Sequence, residues 1–198
     1  MTLASLPLLL ALFGPGAPPR NYRPLDGGSP AAAPPAAGLS DAEVAERVRT
    51  YLGSIDTPIP MARWRSLGQR AVAPLENVVR GGELPSRRAR ALAALSAIGG
   101  DRAKRIVLQM VHAEGEPFAV RTSALRGAAN LLSTHDLAAE LRPVMEGAHD
   151  ATIRATAADE LSRHAASSSC EAVRAQAERE SDSDRRQFVP ALERCAGG

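Results

Sequence analysis

Aromatic side chains are scarce: one Trp, two Tyr and three Phe among 198 residues. So few rings leave little for a surface that stacks on bases or for the walls of most small-molecule pockets. Lysine is almost missing, Lys104 being the only one among 24 cations, and 22 acids leave a net charge of +2. That near balance argues against a dedicated nucleic-acid binder or a carrier of polyacidic ligands. The bias to Arg, alongside heavy use of Ala, reads as a GC-rich coding preference rather than selection for a polyanion. Catalytic signatures are lacking too. His112, His135, His149 and His164 form neither an HExxH pattern nor any i, i+4 pair that would hold a metal. Neither GxSxG, a P-loop nor GxGxxG occurs, and there is no CxxC redox motif. No catalytic, cofactor-binding or metal-binding residue is therefore assigned. Long apolar runs are also absent. The run Leu3–Phe13 (LASLPLLLALF) falls well short of the roughly 20 residues that span a bilayer.

That short run is instead the length of a signal-peptide hydrophobic region, and Gly14, Pro15, Gly16 and Ala17 follow it. No Lys or Arg precedes it, which is atypical, and the alternative is an apolar N-terminal segment without that role. The expected organisation is a signal peptide over 1–17, then a Pro/Ala/Gly-rich tether over 18–38 with almost nothing to bury. Export to a bacterial periplasm or beyond would follow; without a true signal the chain would stay in the cytoplasm. Two cysteines, Cys170 and Cys195, both fall near the C-terminus. In an exported chain an even count favours a disulfide. Glu171–Glu180 and Arg185–Arg194 read as two short helices joined by Ser181–Asp184, and an antiparallel hairpin would set Cys170 beside Cys195. Ser167, Ser168 and Ser169 read as a cap or loop before it.

Helical signals begin at Leu39. Ser40 with Glu43 three residues on makes a capping box, and Val44, Val48 and Leu52 mark one apolar face. Beyond Gly53 the chain repeats. Arg88, Arg121 and Arg154 are spaced by 33 and 33, and three residues beyond each comes Ala91, Ala124 or Ala157. Seven beyond stand Leu95, Ala128 and Leu161, so small or apolar residues share one helical face where a neighbour approaches closely. Acids precede each Arg by four or five residues: Glu83, Glu116 and Asp150. Further helices are expected between these, from Ala71, Asp101 and Asp136, each ending at a turn signal. The unit is helix–turn–helix at a period of 33, with no convincing strand alternation. A lone pair of such helices cannot bury its apolar face; stacked pairs can.

Several stretches from Leu67 through Ala165 resemble HEAT repeats, in particular the short HEAT-like repeats first described in phycobilin lyases. The residues that carry the resemblance are Leu67-Gly68, Ala71 to Leu75, Leu95 to Asp101, Val120-Arg121 with Ala124, and Asp150 with Ile153-Arg154 and Ala157. The resemblance implies an all-α, right-handed α-solenoid of stacked helix–turn–helix repeats over 39–165, and the hairpin read from the local sequence over 166–198 would cap it. It also implies that Arg88, Arg121 and Arg154, with Glu116 and Asp150, form a structural ladder between repeats; the alternative is a row of anion-binding guanidiniums. A HEAT-type di-iron hydroxylase would need His-Glu pairs, and the chain contains no His-Glu dipeptide.

Two further features are candidates for binding a partner. Arg87, Arg88, Arg90, Arg102, Lys104 and Arg105 stand against Asp101 alone, a local excess of five positive charges. Arg87, Arg90 and Arg102 would share one exposed rim that attracts a phosphate backbone or an acidic partner, or else belong to an ordinary solvated helix surface. Trp64 would cap the core of the first repeat or, if exposed, anchor a partner. The expected function is a non-enzymatic scaffold that binds another protein, without cofactor, membrane span or nucleic acid. The alternatives are a lyase-like or other enzyme-accessory ligand handler and, for a chain that is not exported, an intracellular nucleic-acid binder.

Overall fold

Ser40 begins the first helix as its capping box requires. Its hydroxyl accepts from the Glu43 N–H at 3.3 Å while the Glu43 carboxylate accepts from the Ser40 N–H at 2.6 Å. Helix α1 (Asp41–Gly53) then buries Val44, Val48, Tyr51 and Leu52. The structure, a computed structural model, describes residues 38–54 and 58–197. The signal peptide expected over 1–17 and the tether expected over 18–38 lie outside the described residues, Gly38 apart. Every element among the described residues is helical.

After α1 come α2 (Met61–Leu67), a 3₁₀ turn, and α3 (Val72–Arg80). The central helices are α4 (Pro85–Ile98), α5 (Asp101–His112), α6 (Phe118–Leu131), α7 (Thr134–Gly147) and α8 (Ala151–His164). The chain closes with α9 (Ala166–Arg179), the single turn α10 (Asp182–Arg185), a second 3₁₀ turn and α11 (Val189–Gly197). No helix among the described residues is long and apolar enough to cross a membrane.

These helices form two rows. In one, α2, α4, α6, α8 and α11 each pack on the next; in the other, α1, α3, α5, α7 and α9 do the same. Chain neighbours from opposite rows pack as well, α3 on α4, α5 on α6 and α7 on α8. The sequence explains the division. α5 is one-sided, burying Ala103, Ile106, Val107, Met110 and Val111 while Asp101, Arg102 and Arg105 face water. α4, α6 and α8 are Ala-rich and bury small residues on more than one side, because each meets partners in both rows. Gly127 of α6 shows how close the approach is. A Cβ there would lie 3.3 Å from the Ser96 Cβ and 3.4 Å from Val107 Cγ1. Gly99 and Gly100 form the turn between α4 and α5 with φ of +76° and +87°, which only glycine adopts without strain. Buried side chains from all these helices make one contiguous core.

The C-terminal segment departs in detail from the expected hairpin. α9 starts at Ala166, so Ser167, Ser168 and Ser169 lie inside a helix rather than in a cap or loop. Ala165, at φ −139° and ψ 33°, already makes the break after α8. The linker expected at Ser181–Asp184 is itself helical: the Ser181 hydroxyl accepts from the Asp184 N–H at 3.3 Å and starts α10. Phe188, fully buried, pins the second 3₁₀ turn before α11. Even so, α9 and α11 pack together, and the sulfurs of Cys170 and Cys195 stand at bonding distance with Cα atoms 5.4 Å apart. A disulfide at this place is stable in an oxidising compartment.

Closing a loop of this length stabilises a fold by about 3.5 kcal/mol through the entropy of the unfolded chain. Replacing Cys170 and Cys195 by Ala should therefore lower the unfolding free energy by about 3 kcal/mol. Denaturant titration of oxidised wild type, reduced wild type and the double variant checks this. The last two should coincide, both less stable than the first.

Candidate functional site

The ladder arginines occupy the fourth position of α4, α6 and α8, and each reaches back to the carbonyl end of the helix before it. Arg88 Nε donates to Val79 O at 2.6 Å and Arg121 Nη2 to Val111 O at 3.5 Å. Arg154 Nη1 donates to Ala148 O at 2.7 Å and His149 O at 3.0 Å. Helix C-termini leave carbonyls without partners, and a guanidinium supplies several donors to them at once. Two of the three also reach forward. Arg88 Nη2 meets Glu116 at 2.7 Å, and Arg154 forks onto Glu180 with Nε at 2.6 Å and Nη2 at 2.5 Å. The Arg154 hydrogen bonds hold the Glu180 carboxyl below the usual carboxylate range against the opposing effect of burial.

Asp150 does not belong to this ladder. Its carboxylate accepts from the Thr152 N–H at 2.7 Å and caps α8, the commonest use of an Asp just before a helix. Glu83 pairs at 3.2 Å with Arg87 of its own turn. Arg121, although buried, has no carboxylate partner among the described residues, and its Nε meets no hydrogen-bond acceptor.

Arg87, Arg90 and Arg102 do not make one rim. Arg87 and Arg90 belong to α4 and Arg102 to α5, in opposite rows. Arg90 Nη1 donates to Ser54 O at 2.7 Å, while Arg102 bonds to Glu76 of α3 at 2.7 to 2.8 Å. The local excess of charge is offset by acids distant in sequence. Glu76 takes both Arg102 and Arg80, and Arg102 first, then Arg80, holds its carboxyl below the usual range. Glu116 takes Arg88, and Asp136 stands 3.9 Å from Lys104. Trp64 is a core residue and not an exposed anchor: it is only 5% exposed and meets the Tyr51 ring edge-on, with centroids 5.2 Å apart.

A surface with room for a partner lies along the row of α4, α6 and α8. Between α4 and α6 runs a groove of about 500 Å³. Ala89, Ala93, Ala119 and Gly127 are among the small residues that line it, with Met61 and Phe118, each half-exposed, at its edge. Ser123, also in its lining, ties the two helices by donating to Ala89 O at 2.6 Å. A second hollow of about 270 Å³ continues across α6 and α8 toward α11. Arg126 lines both. It is exposed and carries no ion pair among the described residues, whereas Arg163 and Arg194 in the second hollow are both bound to Asp159.

Arg126 was not singled out from the sequence, although a signal exists. Ala93, Arg126 and Asp159 each stand five residues beyond a ladder Arg, so the repeat puts all three on the same side of their helices. Among the described residues no group of His, Cys, Asp and Glu is arranged to hold a metal ion. No family model, curated protein or solved structure matches this chain.

One buried acid stands apart from these ties. Glu160 of α8 is 5% exposed, and the His164 ring of the same helix stands 3.5 Å away. Burial raises its carboxyl above the usual carboxylate range; Arg163, His164 and Arg126 oppose this and Asp159 adds to it. An acid raised on folding holds its proton better in the native state, so stability falls as pH climbs through the window above the ordinary carboxylate value. Glu160→Gln should accordingly gain roughly 1 kcal/mol at pH 7 by removing a buried charge. In urea titrations at a series of pH values, that gain should shrink to nothing under acidic conditions.

Proposed function

We propose that the chain is a HEAT-like α-solenoid that holds another protein along the groove of α4, α6 and α8, and that it works after export in an oxidising compartment such as a bacterial envelope. Two rows of helices at a 33-residue period support the solenoid, and the disulfide pair supports the compartment. One observation carries the binding role: the open, small-residue groove with Arg126 unpaired at the junction of its two parts. Small residues let a helix or extended segment come close to the α4 and α6 backbones. Met61 and Phe118 offer apolar contact at the edge. Arg126 sits where it would pair with an acid of the partner, and a charge so placed steers encounter and sets register. The recognition is therefore of an acidic partner segment with apolar residues beside the acid. Arg90, which lines the same groove, contributes its aliphatic stem, since its head is committed to Ser54.

A photocrosslinking residue at Ala93, in the groove, should capture a protein in the native cell. The same residue at Arg105, on the exposed side of α5, should not. Adding Arg126→Glu should reduce capture from Ala93 roughly tenfold while leaving helicity unchanged. Equal capture from both positions, or capture indifferent to Arg126→Glu in a folded protein, would contradict the groove as the docking site.

A further inference from the structure

Glu116, His149 and Glu180 occupy one structural position, each lying directly before the N-cap of a following helix: Pro117 for α6, Asp150 for α8 and Ser181 for α10. From there Glu116 reaches Arg88 and Glu180 reaches Arg154. The middle Arg of the series, Arg121, should meet residue 149 by the same register. That residue is His149, which stands 92% exposed and pairs at 3.4 Å with Glu114. So the series presents the same guanidinium three times and its carboxylate only twice.

The site left over is shaped to receive one. Arg121 is 5% exposed, yet its Nε has no acceptor, and the side-chain hydrogen bond from its Nη2 to Val111 O is 3.5 Å long. That length is beyond the usual range for such a bond. Beside it lies a cavity of about 160 Å³ between α5, α6 and α7, lined among others by His112, Glu114, Val144 and Ala148. A buried cation without a counterion is costly, and an anion brought to it regains charge-assisted hydrogen bonds. His112 is engaged through Nε2 with Glu140 at 2.8 Å. Glu114, half-exposed, is turned toward His149 and forms no ion pair with Arg121.

We infer that this cavity binds a carboxylate supplied from outside the chain, which completes the middle rung on Arg121 as Glu116 and Glu180 complete the outer two. The neighbouring rungs select carboxylate over phosphate: both sister guanidiniums take a planar, singly charged carboxylate, Arg154 with two parallel bonds. The volume admits a carboxylate on a short stem, and Glu114 in the wall opposes a doubly charged ion. The site shares no lining residue with the groove of α4, α6 and α8, and stands independently of the function proposed for it.

The Arg side-chain Nε–H signals of ¹⁵N-labelled protein report on this directly. Sodium acetate, titrated against sodium chloride at equal ionic strength, should move the Arg121 signal saturably and leave those of Arg88 and Arg154 in place. His149→Glu supplies the internal carboxylate; it should raise the melting temperature and weaken the acetate response at least about tenfold. A terminally blocked Gly-Glu-Gly peptide separates the sources. Tighter binding than acetate assigns the carboxylate to a protein side chain, and equal or weaker binding assigns it to a small molecule. Two results would overturn the inference. One is an Arg121 signal that acetate moves no more than chloride does. The other is an Arg121 signal that responds to acetate only once Glu114→Gln has been made, which would mean that Glu114 already fills the site.

Discussion

A guanidinium set at the fourth position of α4, α6 and α8 is the contact on which the two rows depend. α3, α5 and α7 each end with carbonyls that no helical N–H can reach, and each packs against the helix that follows it, α4, α6 or α8. Arg88 and Arg154 fill that junction, donating to Val79 and Ala148, and Arg121 takes the same place with only a long contact to Val111. The side chain is long enough to continue past the junction, so Arg88 and Arg154 also bind the acid that opens the next repeat. Lysine would not serve: it has no planar fork with which to bond a carbonyl and a carboxylate in different directions. The preference for Arg, which composition alone assigns to codon usage, is at these positions a structural need.

Because the charged residues are spent on such ties, the surface is less charged in effect than its composition implies. Glu76 holds Arg80 and Arg102, Asp159 holds Arg163 and Arg194, and Arg142 donates to Ser168 O at 2.9 Å. Arg102 with Glu76 and Arg194 with Asp159 tie one helix to another, while Arg80 with Glu76 and Arg163 with Asp159 each span one turn of a single helix. Of the cations left without an ion pair among the described residues, Arg126 and Arg121 line hollows. Arg126 faces open space along an Ala-lined groove, and Arg121 is buried without its acid. The first has the geometry of a contact for a large partner and the second that of a pocket for a single group.

Much of the architecture is legible in the sequence, because the features that encode it are local or periodic. Ser40 and Glu43 announce a helix start by chemistry confined to four residues. The 33-residue recurrence of Arg followed by Ala aligns α4, α6 and α8 before any contact is known, and the Cys170–Cys195 pairing needs only two adjacent antiparallel helices. What escaped depends on partners remote in sequence. The positive stretch from Arg87 to Arg105 looks like a rim only while Glu76, Glu116 and Asp136 are out of view. Asp150 resembles a ladder acid by spacing, but an Asp one residue before a helix finds the nearer N–H of Thr152 first. Arg126 was legible in principle, five residues past a ladder Arg, yet Ala93 and Asp159 at the same register disguise the position as one without a theme. The three serines before Cys170 carry weak helix propensity, and packing of α9 on α7 and α8 overrides it.

Arg154 with Glu180 is the most buried instance of the guanidinium tie between repeats. A double-mutant cycle with Arg154→Met, Glu180→Gln and the pair, measured by denaturant unfolding at neutral pH, isolates the interaction from the loss of each side chain. The ladder predicts a coupling energy of about 1.5 kcal/mol or more. A coupling within about 0.3 kcal/mol of zero would mean that the two repeats are held by apolar packing alone, and would contradict it.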